Sequence, residues 1–197
     1  EKNIWFITLS NGVYKALRSQ TRSIFKNQRI RFDHYKFDKE KKDGISSSKI
    51  TSYLQSDSNS IWFGTTNGGL NKLDIKSNNF QHLFIDDGLP SNYITAIKNS
   101  KSGNLWISSK NGISLLNAST SEILNYNLLD GISDLDFFRN SVSKNKKGEL
   151  FFGGPNGITI IRPEDIKLNN YKPPCLITNI KKTYFDGNIQ NSFLNID

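Results

Sequence analysis

Four segments of this chain share one pattern, and that repetition constrains the fold more than any other feature. Asn3 to Lys15 reads N-I-W-F-I-T-L-S-N-G-V-Y-K, and Ser60 to Lys72 reads S-I-W-F-G-T-T-N-G-G-L-N-K. Ser100 to Leu116 reads S-K-S-G-N-L-W-I-S-S-K-N-G-I-S-L-L, and Glu149 to Ile161 reads E-L-F-F-G-G-P-N-G-I-T-I-I. The aligned aromatics Trp5, Trp62, Trp106 and Phe151 stand 57, 44 and 45 residues apart. A step of this size indicates a solenoid, a propeller or an array, and strand-rich units favour a propeller blade. Within the copy at Ser100, the turn Ser102-Gly103 precedes Asn104 to Ser108, which alternates as a half-buried strand should. Asn111-Gly112 then signals a hairpin, and Ile113 to Leu116 returns as the next strand.

A second marker keeps the same step. Asp43-Gly44-Ile45-Ser46, Asp87-Gly88-Leu89-Pro90-Ser91 and Asp130-Gly131-Ile132-Ser133 place their glycines 44 and 43 residues apart. Each follows an aromatic-bearing run (Asp33 to Phe37, Phe80 to Phe84, Ile123 to Leu128) and precedes an alternating one (Ile50 to Leu54, Tyr93 to Ile97, and Asn140 to Ser143). One unit is therefore four short antiparallel strands, A to D, and the fold class is all-β. The repeated tryptophan reads as a core residue between blades rather than as a sugar platform, because a feature present in every blade calls for a job common to all of them. The Asn-Gly pairs supply positive backbone dihedrals for turns.

Charge is concentrated. The chain carries a net +8, and the stretch Arg18 to Lys42 holds nine basic residues against Asp33, Asp38 and Glu40. It coincides with the extra residues of the first spacing, so it is an extended C-to-D connection. It reads either as a solvated hairpin that aids solubility or as a surface for an acidic ligand. Nucleic acid is not expected to bind this segment: Phe25, Phe32, Tyr35 and Phe37 alternate as strand residues that face the blade packing, and no nucleic-acid motif accompanies them. Cys175 is the single cysteine, which excludes an internal disulfide and a cysteine-based zinc site. No run of 18 apolar residues and no signal peptide is visible, so membrane contact is expected only through segments outside this stretch. The chain starts inside a B strand and contains no methionine, which marks it as an internal piece of something longer.

The combination of D-G-L-P-S-N-Y-I-T-A-I, S-G-N-L-W-I-S-S-K-N-G-I-S-L-L and G-E-L-F-F-G-G-P-N-G-I-T-I-I-R-P resembles the regulator-propeller repeats of bacterial sensor proteins, the periplasmic sensors of hybrid two-component systems. Residues 32–50 also look like that family's longer inter-blade segment. The resemblance covers about residues 1–163 and implies the last blades of a seven-bladed propeller, the first blade here being incomplete. It further implies a linker at 164–174 and, over 175–197, the opening of an immunoglobulin-like sandwich, with strands at Cys175 to Lys182 and Gln190 to Ile196 separated by Asp186-Gly187. By the same resemblance the full-length protein sits in the inner membrane, acts as a homodimer and carries a histidine kinase. Similar repeats also precede diguanylate cyclase domains.

In a propeller the D-to-A and B-to-C connections emerge on one face and are free to vary. Here they present Ser47, Ser48 and Lys49, then Asn92 and Tyr93, then Asp134, Asp136 and Arg139, with Lys110 and Asn111 from a B-to-C turn. Amides, carboxylates and a guanidinium suit the hydroxyls of an oligosaccharide, acidic or neutral, whose apolar face stacks on Tyr93. The plainer alternatives are turn capping by Asn92, Asp134 and Asp136 and a surface ion pair for Arg139. No cofactor is expected. A catalytic reading is weaker: His34 and His82 read as outer-strand residues, no Ser-His-Asp order or phosphate loop is present, and Asp87 beside Asp86 belongs to the repeated turn. Three classes follow: a sensing ectodomain, a scaffold for dimerisation or protein contact, and a polysaccharide-degrading propeller.

Overall fold

The structure is a computed structural model that describes residues 3–17, 31–41, 43–166, 182–183 and 189–190. Of the basic stretch, Arg18, Arg22, Lys26, Arg29 and Lys42 lie outside the described residues, as do Phe25, Cys175 and most of 167–197. The chain divides into two compact units, Glu1–Asp165 and Ile166–Asp197.

The first unit is built of four antiparallel sheets in chain order. β1 (Ile4–Ile7), β2 (Val13–Ala16) and β3 (Asp33–Tyr35) form the first. β4 (Ile50–Gln55), β5 (Ser60–Thr65), β6 (Leu70–Asp74) and β7 (Asn79–Leu83) form the second. β8 (Ile94–Asn99), β9 (Leu105–Ser109), β10 (Gly112–Leu116) and β11 (Ile123–Tyr126) form the third, and β12 (Val142–Lys144), β13 (Leu150–Gly154) and β14 (Gly157–Ile161) the fourth. Each is a propeller blade with strands in A-to-D order. In the second unit β15 (Lys182–Thr183) pairs with β16 (Ile189–Gln190). The A strand expected over Asn140 to Ser143 begins at Val142, because Asn140 is taken by a left-handed turn (φ 54°) whose amide donates to the Thr95 carbonyl of the preceding blade.

The tryptophans are core, and the packing explains their spacing. Trp62 joins Leu70 of its own blade to Ile94, Leu105 and Ile107 of the next. Trp5 likewise packs on the cluster containing Phe63, Ile50 and Ile61, with its ring 6.4 Å from that of Phe63. The aromatic of each B strand thus faces the following blade and its C-terminal neighbour faces the preceding one. Both faces of an inner blade are therefore buried. For this reason the half-buried strand expected over Asn104 to Ser108 is wrong in burial: all five residues of β9 are buried, Ser108 and Ser109 included. Outer faces differ. Phe6 is 42% exposed on the open side of the first blade, and Phe151 is half-buried on the open side of the fourth. Phe32 and Phe37 stay exposed, at 41% and 47%: Phe32 packs edge-on against Phe6 and Tyr14 on the open side of the first blade, and Phe37 lies beyond the end of β3, so of these rings only Tyr35 reaches Trp5 and Phe80.

Candidate functional site

The B-to-C turns that carry the candidate residues are built by one device used three times. A hydroxyl at the end of the B strand (Thr8, Thr65 or Ser109) donates to the carbonyl of the turn's last glycine (Gly12, Gly69 or Gly112) and accepts from an amide within the turn. Those glycines have φ of 72°, 62° and 103°. Asn11, Asn67 and Asn111 are not in the positive region, so the glycine alone supplies what the Asn-Gly pairs were expected to supply. A side chain on any of the three would run into the carbonyl oxygen of Tyr35, Leu83 or Tyr126 on the D strand. Each glycine amide also donates across to the loop leading into the next blade, to the carbonyls of Ser48 (2.8 Å), Asn92 (3.0 Å) and Leu135 (2.7 Å). These latches bring the B-to-C turns and the D-to-A loops together on one face.

On the other side of those loops the Asp-Gly pair caps a single 3-10 turn in two of its three copies, Asp43-Gly44 being the exception. Asp87 accepts from the Phe84 amide and Asp130 from the Asn127 amide, while Gly88 and Gly131 adopt φ of 105° and 88°. The lead-in residues that follow are placed by this geometry.

Five of the eight candidate residues converge. Arg139 donates from Nε to the Tyr93 hydroxyl (2.9 Å) and from Nη2 to Thr66 Oγ1 (3.4 Å). Its guanidinium carbon lies 5.6 Å from the Tyr93 ring centroid, and Lys110 Nζ lies at the same distance. Lys110 is paired with Asp136 and donates its amide to the Tyr93 carbonyl. Thr66 in turn donates its amide to the Lys49 carbonyl (3.0 Å). The cluster Lys49–Thr66–Arg139–Tyr93–Lys110–Asp136 thereby links the lead-in loops of three successive blades. The Lys110–Asp136 pair is 39% and 46% exposed, so it orients the two side chains more than it stabilises the fold.

The other three residues are engaged by nearby backbone. Asn92 accepts from the Ile85 amide, Asn111 donates to the Pro90 carbonyl, and Asp134 accepts from the amides of Asp136 and Asn156. The amide of Asp136 first, then that of Asn156, holds the Asp134 carboxyl below the ordinary carboxylate range. Among the described residues Arg139 is not in an ion pair. Thr66 is the residue that sequence reasoning passed over. It stands four residues after Trp62, as Lys110 stands four after Trp106, so aligning the copies through the turn would have found it. His34 and His82 each donate an Nε2 proton to a backbone carbonyl, Asn11 and Gly44 respectively, at 2.8 Å.

The cluster offers cations, one carboxylate, two hydroxyls and a half-buried aromatic ring. Among the described residues Arg139 uses two of its five N–H donors, which leaves three for an acceptor.

Residues 88–111 match the family described as two component regulator propeller. That repeat contains Asn92, Tyr93, Lys110 and Asn111. None of the curated proteins is significantly similar in sequence to the chain. Among solved structures, an extracellular domain assigned to a hybrid two component system of B. thetaiotaomicron superimposes with a TM-score of 0.62 at 20% identity, covering 98% of this chain and 24% of the other. A second such domain from B. thetaiotaomicron gives 0.62 at 15% identity, over 96% of this chain and 28% of the other. Virginiamycin B lyase of Staphylococcus aureus gives 0.52 at 14% identity, over 99% and 67%. At these identities the likeness is one of fold, and the chain spans about a quarter of the length of the extracellular domains it resembles.

Proposed function

We propose that this chain is part of the extracytoplasmic, ligand-sensing portion of a bacterial two-component signalling protein and that its ligand is an oligosaccharide. The carrying observation is the cluster around Tyr93, which gathers side chains from the lead-in loops and B-to-C turns of three blades while the strands beneath remain tied by core packing. A sugar hydroxyl or carboxylate accepts from the spare donors of Arg139 and from Lys110 or Lys49, and the ring of Tyr93 meets an apolar sugar face. The match of residues 88–111 supports the sensor reading, and the likeness to extracellular domains supports an extracytoplasmic location. In the full-length protein the bound state is relayed through an inner-membrane helix, within a homodimer, to a histidine kinase that alters transcription.

Calorimetric titration of the chain with neutral and acidic oligosaccharides, with chromatography of the mixtures, tests this reading. Saturable binding without cleavage is expected. Arg139→Ala should weaken it by about 1.5–3 kcal/mol, the cost of a lost charge-assisted contact, and Tyr93→Ala by about as much through the apolar contact it loses. Release of shorter products would move the protein to the degradative class, and no binding of any sugar would favour a scaffold.

A further inference from the structure

A second recess lies on the outer side of the contact between the first two blades, where none of the Tyr93 cluster residues reaches. It encloses about 640 Å³. Its apolar lining comes from Ile45, Phe80 and the half-buried ring of Tyr35, whose hydroxyl donates to Asn78 Oδ1 at 2.6 Å. Around these stand Lys36, Lys41 and Lys76, opposed by Asp43. Lys15 and Asp33, which also line the recess, neutralise one another at 3.3 Å. Among the described residues no carboxylate lies within ion-pair distance of Lys36, Lys41 or Lys76.

Two structured turns from different blades present these cations. In the C-to-D turn of the second blade, Asp74 Oδ1 accepts from the amides of Lys76 and Ser77, and Asn78 adopts φ 61° with its amide on the Asp74 carbonyl. In the lead-in from the first blade, the Lys41 amide donates to the Asp38 carbonyl and the Gly44 amide to the Lys41 carbonyl. A further backbone bond, from the Phe80 amide to the Asp43 carbonyl, ties the two together. Like charges collected around a concave, partly apolar wall focus the field into it and raise the local concentration of anions.

We propose that this inter-blade recess is a second binding site, selective for an anionic oligosaccharide. A sugar rests its C–H edge on the partly exposed Tyr35 ring, which the buried Phe80 and Ile45 back, and its sulfate or carboxylate groups meet Lys36, Lys41 and Lys76. A flat membrane surface cannot reach a recessed wall. Single-stranded nucleic acid needs a row of open aromatic faces for successive bases, whereas the recess offers one half-buried tyrosine ring. This site is independent of the function proposed for the Tyr93 cluster.

The test is calorimetry of the chain with a sulfated, a uronic-acid and a neutral tetrasaccharide, and with an oligo-glutamate peptide, at about 50 and about 300 mM salt. Three variants complete it: Lys36→Gln/Lys41→Gln/Lys76→Gln, the charge-matched Lys101→Gln/Lys146→Gln/Lys147→Gln, and Arg139→Ala, each checked for fold by circular dichroism. The expected result is binding of at least one acidic sugar that weakens with salt. The recess triple variant should weaken it at least about tenfold, a difference of about 1.4 kcal/mol, while the other two variants leave it unchanged. Preference between the two acidic sugars identifies sulfate or carboxylate as the recognised group. The proposal is overturned by no affinity for either acidic sugar, by equal affinity for the peptide or the neutral sugar, or by an equal loss in the charge-matched variant. Loss in Arg139→Ala alone assigns the binding to the Tyr93 cluster instead and equally overturns it.

Discussion

At the scale of single residues, burial on both faces sets the energetics. Trp106 is 1% exposed and stacks on Tyr126 at 5.4 Å, whereas Phe151, its counterpart in the fourth copy, is half-buried. Trp106→Ala should therefore cost about 3–5 kcal/mol in urea unfolding, and Phe151→Ala clearly less, although the sequence treats the two positions alike. Glycines separate in the same way. Gly112 and Gly103 both have positive φ, but a side chain at Gly112 meets the Tyr126 carbonyl and one at Gly103 meets nothing. Gly112→Ala should thus destabilise by more than Gly103→Ala, which carries only the backbone strain of about 1 kcal/mol. The carboxyls of Asp74 and Asp134 are both held below the ordinary range, chiefly by the backbone amides of Ser77 and Asp136. A depressed folded-state value gives stability that is present above the usual carboxylate range and lost as pH falls through it. Asp74→Asn and Asp134→Asn should accordingly flatten the acid limb of a stability-versus-pH curve and leave its neutral region sloped as before.

At the scale of elements, the latch from each B-to-C glycine to the next lead-in loop makes the binding face an extension of blade packing. β5 and β9 are buried throughout, while β3 and β12 are short and mostly exposed. Native-state hydrogen exchange should follow this order, with the amides of β5 and β9 slowest and those of β3 and β12 fastest. The latch amides of Gly69 and Gly112 should exchange with their sheets rather than with the exposed loops around them. Fast exchange at both glycines would mean that the lead-in loops open independently of the blades, and a ligand at Tyr93 would then order loops without moving sheets.

At the scale of the molecule, the two open sheet faces complement each other. The first blade presents Ile4, Phe6 and Phe32, and the fourth presents Phe151, Ile158 and Ile160. Inside the structure, faces of these two kinds are what neighbouring blades pack together, so in a solution of residues 1–197 alone the fourth blade of one copy should dock on the first blade of another in a heterologous contact. Light scattering should give a mass that rises with concentration, reduced by Phe6→Lys or by Ile160→Lys alone. Mixing the two variants should restore pairing, since each keeps one intact face. A single-chain mass at every concentration would refute the docking.

The sequence by itself determined the repeat, the four-strand unit and the positions of the turns, because each rests on local chemistry: alternation over five residues, an Asp-Gly cap, a glycine that must take positive φ. It also placed the candidate residues on the D-to-A and B-to-C connections, where the structure has them. Tertiary structure alone decided which of them meet. Arg139 lies 46 residues from Tyr93 and 73 from Thr66, and their contacts exist only because successive blades turn equivalent loops toward one another. The same is true of burial. A B strand that alternates in sequence is buried on both faces when a blade lies on each side, and the recess beside Tyr35 joins residues of two different sheets. Such facts depend on distances between segments far apart in the chain, which no local pattern encodes.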